Sequence, residues 1–222
     1  MRTVRTFIAK QGLQLAEHPF FRGLLQAEAQ PARVLACVPH LAFWAAALED
    51  ALRLAEQRIE DPRLSQIARQ HRAGIFESAA FPLSKLLARP EAADPRALTR
   101  PPQLGTREST YVFLFEVLRA TTDYDRLVLM LALESLSHLF FEALATFFER
   151  AGLNPPGADA RLLRPLPPDR ANIFLDLLSL DAETRHGAFQ VVERVYQGVS
   201  LMLDGLAPHA GPELGGSHAE AR

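Results

Sequence analysis

The stretch Leu127-Val-Leu-Met-Leu-Ala-Leu133 is followed at once by Glu134-Ser-Leu-Ser-His138-Leu-Phe-Phe-Glu142. Seven consecutive apolar residues leave no polar face, so a helix that carries them must be covered on every side and belongs at the centre of a bundle. Working outward, Thr121-Thr122-Asp123 separates this helix, predicted over Asp125 to Arg150, from another over Thr106 to Arg119. Upstream, helical patterns run over Arg5 to Glu17, Phe20 to Gln26, Pro31 to Gln57 with a kink at Pro39, and Asp61 to Ala88. Downstream, a short helix over Ala171 to Ser179 precedes a long one over Asp181 to Leu206. No group of short alternating runs marks a sheet. The fold class is therefore all-α, with residues 1–206 as one helical domain and 207–222, rich in Gly, His and Pro, as a flexible tail.

Composition narrows the function. The chain has 222 residues, 48% of them hydrophobic, enough for a substantial core. Its net charge of −2 gives no basic excess to drive binding to nucleic acid. Cys37 is the only cysteine, so no internal disulfide and no all-thiolate metal site is available, and any metal must use His, Asp and Glu. The segment Met1 to Leu15 lacks the continuous apolar core of a signal peptide, and the apolar run at 127–133 is far shorter than the ~20 residues that cross a bilayer. A cytoplasmic protein without a membrane partner is expected.

Three groups of side chains are candidates for chemistry. Glu134, His138 and Glu142 follow at spacings of four and eight, which places them along one side of the central helix. A carboxylate next to so apolar a run must be protonated, paired or bound to a cation. One reading is a metal ligand or acid/base group facing a pocket, and the other is an ordinary Glu–His pair on a half-exposed stripe. Glu183-Thr-Arg-His186 has the Glu-x-x-His spacing of paired ligands. Against that, Val191, Val192, Val195, Val199 and Met202 form the apolar face of the same helix, which puts Glu183 and His186 nearly opposite, on a solvated side. His71 lies on the apolar stripe of its helix and reads as a core histidine or a ligand. Trp44 and Phe43 read as core residues, Cys37 as packing, and Glu49 as a carboxylate able to turn inward.

His18-Pro19-Phe20-Phe21 before a Pro31-initiated helix, Val38-Pro39-His40-Leu41-Ala42-Phe43 with Glu49-Asp50, the His71 helix, the Glu134 helix and Glu183-Thr-Arg-His186 come in an order that resembles the haem-oxygenase-like superfamily. The nearest likeness is to its non-haem di-iron oxidases and oxygenases. The resemblance implies a haem-oxygenase-like bundle, a homodimer, and oxidation of a small amino-acid- or fatty-acid-like substrate by dioxygen; apolar side chains too numerous for one small bundle to cover, especially along Tyr111-Val-Phe-Leu-Phe115, also predict the homodimer. The resemblance also implies iron at Glu134, Glu183 and His186, in a pocket between the second, third, fifth and last long helices. Gly74 and Ser78 stand where that family has the Glu and His of its third helix. One or two ions are therefore implied, with His138 and His71 as the residues able to compensate. Metal-free thiaminase-like or quinone-synthase-like chemistry, and a non-catalytic ligand-binding or partner protein, are the alternatives.

Overall fold

The computed structural model describes residues 2–26, 31–70, 72, 104–152 and 182–210, and every regular element among them is a helix. In chain order these are α1 (Arg2–Ala16), α2 (Pro19–Leu25), α3 (Pro31–Leu35), α4 (Val38–Gln57), α5 (residues 62–70), α6 (Leu104–Arg119), α7 (Asp123–Arg150) and α8 (Ala182–Ala210). His71, Gly74, Ser78, Asp181 and the short helix expected at 171–179 lie outside the described residues.

Local chemistry sets the helix ends. His18 caps α2, its Nδ1 accepting the Phe20 N–H at 3.2 Å, and Pro19 follows in the first turn, where a missing N–H costs nothing. α7 starts two residues earlier than expected because Thr122 and Asp125 form a reciprocal capping box. It ends at Gly152, whose φ of 62° is the left-handed conformation glycine adopts without strain. The kink expected at Pro39 is instead a break at Ala36 and Cys37. A continuous helix would drive the Pro39 ring into the Leu35 carbonyl, so the chain restarts at Val38 and carries the proline in its first turn. α8 runs four residues past the expected end, through Pro208, with Leu206 and Ala210 buried against the core.

The seven residues 127–133 are all buried, as their uninterrupted apolarity demands. α7 is the one helix among the described residues long and apolar enough to cross a membrane, and 67% of its apolar window is covered by the rest of the fold. α8 packs against α7, α6, α1, α2 and α3, and α4 against α6 and α7. α7 and α8 run parallel: Ser135 meets Tyr196 at an offset of 61 residues, and Arg185 acts on Tyr124 at the same offset. α1 is parallel to α8 as well, with Phe7 against Phe189, Gly12 against Tyr196 and His18 against Asp204. An aromatic cluster links four helices: Trp44 of α4 contacts Phe113 of α6 and Phe140 of α7, and Phe140 contacts Phe21 of α2. Trp44 is thus core, whereas Phe43 is 37% exposed and Glu49 faces solvent, contrary to the sequence reading. α6 and α8 approach so closely that a Cβ on Gly198 would come 3.2 Å from Val112.

Two ion pairs pin this arrangement. Glu116 of α6, with 1% of its side chain exposed, accepts bonds from Arg194 Nε at 2.6 Å and from its NH2 group at 2.9 Å. The bond to Glu116 raises the Arg194 pKa above its ordinary value, against the opposing effect of burial. At the start of α7, Asp123 accepts the N–H groups of Glu60 and Asp61 at 2.9 and 2.8 Å and pairs with Arg126. Burial works to raise the Asp123 carboxyl, but the two N–H groups and Arg126 outweigh it and hold the carboxyl below its ordinary 3.8.

Arg194→Met, which strands Glu116 in the interior, is expected to cost about 3 kcal/mol by denaturant unfolding. Glu116→Gln should cost less, because Arg194, already 30% exposed, can turn to water. The reverse order would show that Glu116 does not depend on Arg194. Asp123 ionises more readily folded than unfolded, so it contributes stability above about pH 4 that is lost as the pH falls through its lower folded value. Asp123→Asn should therefore flatten the decline of the unfolding midpoint below about pH 4. An unchanged acid slope would remove Asp123 from that account.

Candidate functional site

The central helix brings Glu134 and His138 together. They sit one turn apart with Oε1 and Nε2 separated by 3.9 Å, and their side chains are 13% and 26% exposed. Both lie where α7 passes from complete burial to a half-buried stripe that also carries Phe141. Glu142 does not join them and is exposed, because eight residues at 100° each leave it about 80° from Glu134 around the helix.

Glu183 and His186 stand elsewhere. Both are exposed in the first turns of α8, on the side opposite its buried valines, and His186 Nε2 accepts a bond from the Gln190 amide at 3.0 Å. In the parallel register of the two helices His186 is level with Asp125, nine residues before Glu134, or about 13 Å of helix rise. A metal ion held at about 2 Å from each ligand cannot join side chains so placed. The set Glu134, Glu183 and His186 is therefore not brought to one point. Among the described residues no three His, Cys, Asp or Glu side chains are grouped to hold a metal. His71, the other candidate ligand, lies outside the described residues.

The structure adds polar groups that the sequence reading passed over. His40 of α4, buried, lies 3.1 Å from Thr106 Oγ1 of α6, and the Thr110 hydroxyl donates to the Thr106 carbonyl. Along the same seam the Trp44 indole N–H and the Ser109 hydroxyl are buried with no hydrogen-bond partner. Between α1 and α8 a polar groove of about 410 Å³ is lined by Gln11, Gln14, His18, Glu193, Gln197 and Ser200. His18 Nδ1 accepts the Phe20 N–H, so its proton is on Nε2, which donates to Asp204 at 3.1 Å. Both ring nitrogens are occupied, and His18 acts as a cap and a latch between α2 and α8 rather than as a base. At the floor of the groove the Tyr196 hydroxyl donates to Ser135 at 3.1 Å, and burial pushes its pKa up to about 12 against the smaller effect of that bond. The signal in the sequence was Pro19, which fits the first position of a helix and so puts His18 at the cap, although histidine is not among the preferred capping residues.

No family model matches the chain, and no curated protein is similar enough to count as a relative.

The exposure of His186 and the capping role of His18 predict different costs for the two alanine variants. His186→Ala should change stability by no more than about 0.5 kcal/mol, and His18→Ala should cost about 1 kcal/mol through loss of the cap. Equal effects in urea unfolding would contradict this placement of the two side chains.

Proposed function

We propose that the chain is a haem-oxygenase-like oxidase or oxygenase of the non-haem iron type, acting with dioxygen on a small amino-acid- or fatty-acid-like substrate. The observation that carries the reading is the Glu134–His138 pair: a carboxylate and an imidazole one turn apart, partly covered, on the central helix of the bundle. The donor chemistry suits iron, which takes imidazole and carboxylate ligands together, and 3.9 Å is a separation that two ligands of one ion can span. Bound there, iron would supply the activation of dioxygen. Glu134 and His138 would hold the ion, and the apolar residues before them would keep water from it. The ion is single in this reading, because Glu183 and His186 lie a distinct level away and Gly74 and Ser78 offer no ligand. The resemblance in the order of helices supports the bundle type and the homodimer, and the lack of a continuous apolar core in Met1 to Leu15 supports a cytoplasmic setting.

A second reading uses the same pair without metal. Acid/base catalysis needs only two groups, and Glu134 and His138 are the two that are brought together. The two readings separate on metal content. Protein produced with iron supplied is expected to retain up to one equivalent by elemental analysis, and Glu134→Ala and His138→Ala should each lose it with the helical spectrum intact. Glu183→Ala and His186→Ala should keep it. Loss of iron in His186→Ala would restore the ligand set read from the sequence. Absence of iron from the parent protein, with activity abolished by Glu134→Gln, would favour the metal-free reading.

A further inference from the structure

We infer that the outer face of α6 is a homodimer interface, in which two copies of the helix pack antiparallel about a twofold axis level with residues 113 and 114. This specifies the homodimer named above and does not rest on iron.

Leu104, Tyr111, Phe115 and Leu118 are each between 59% and 64% exposed. Their spacings of seven, four and three place them within about 40° of one line along the helix. The opposite face of α6 is spent on the bundle, through Thr106, Thr110, Phe113, Glu116 and Val117. Among the described residues α6 thus has two apolar sides, only one of them covered, and Leu201 of α8, next to Gly105, extends the uncovered one. A contiguous strip of large apolar side chains in water is the signature of a contact surface.

Charge selects the occupant. Glu108 and Arg119 flank the strip on the same side, both exposed. In an antiparallel twofold pairing each edge of the helix meets its own symmetry mate. With the axis at residues 113 and 114, Glu108 comes level with Arg119 of the other copy, twice over. The same register sets Tyr111 beside Phe115 of the other copy. Self-complementary charge along one edge of the apolar stripe favours a second copy of the chain as its occupant.

Sedimentation of the full chain over a range of micromolar concentrations should show a dimer whose fraction rises with concentration. Phe115→Asp should give a monomer with an unchanged helical spectrum, since Phe115 takes no part in the core. Glu108→Arg should weaken association about tenfold by setting like charges opposite one another, and the double variant Glu108→Arg with Arg119→Glu should recover it. A monomer at every concentration overturns the inference, as does a dimer indifferent to Phe115→Asp. Failure of the double variant to recover overturns the antiparallel register. A monomer that binds lipid vesicles through Phe115 would assign the face to a membrane surface instead.

Discussion

The fold depends on one constraint: α7 carries residues 127–133 with no polar side, and water must be kept from all of it. At roughly 25 cal/mol per Å² of apolar surface removed from water, an exposed side on such a helix would be among the largest penalties available to the chain. Its neighbours are arranged accordingly. α8 lies parallel along one side, α1 along another, and α2 and α4 close the remainder through the cluster of Phe21, Trp44 and Phe140. Parallel neighbours cannot be joined by short turns, and Arg150 and Ala182, the end of α7 and the start of α8, are accordingly far apart in the sequence.

Most polar groups in the interior are met by a partner, the Trp44 indole N–H and the Ser109 hydroxyl being exceptions. Glu116 is tolerated because Arg194 reaches it with two nitrogens from the facing helix, and His40 because Thr106 lies opposite. Ser137, in the middle of α7, returns its hydroxyl to the Leu133 carbonyl. The pair Glu134 and His138 belongs to the same economy of burial but sits at its edge, half-covered and one turn apart. That position makes it the centre of the proposed chemistry, as a carboxylate and an imidazole side by side at the edge of the core.

The placements that spacing along one helix could not decide share a cause. Glu183 and His186 have the spacing of paired ligands, but spacing along one helix says nothing of which level of the neighbouring helix it faces. That level is set by the parallel register, through contacts such as Tyr196 with Ser135 that are distant in sequence. Glu49 was open to an inward reading because α4 is apolar around much of its circumference, and only the choice of face turned toward α6 and α7 puts it in water. Arg194 and Glu116, by contrast, are separated by 78 residues, and nothing local joins them.

The sequence by itself determined the class of the fold, the existence of the long helices and the identity of the central one, because period and uninterrupted apolarity act within a single element. It also determined which side of α8 is buried, since Val191, Val192, Val195, Val199 and Met202 all face the core as their spacing demands. Only the tertiary structure decided which candidate residues share a place. The i, i+4 spacing alone sets Glu134 beside His138, but the tertiary structure left His186 about 13 Å along the axis from Glu134, because the sliding of one helix against another is fixed by the sum of many distant packing contacts rather than by either helix alone.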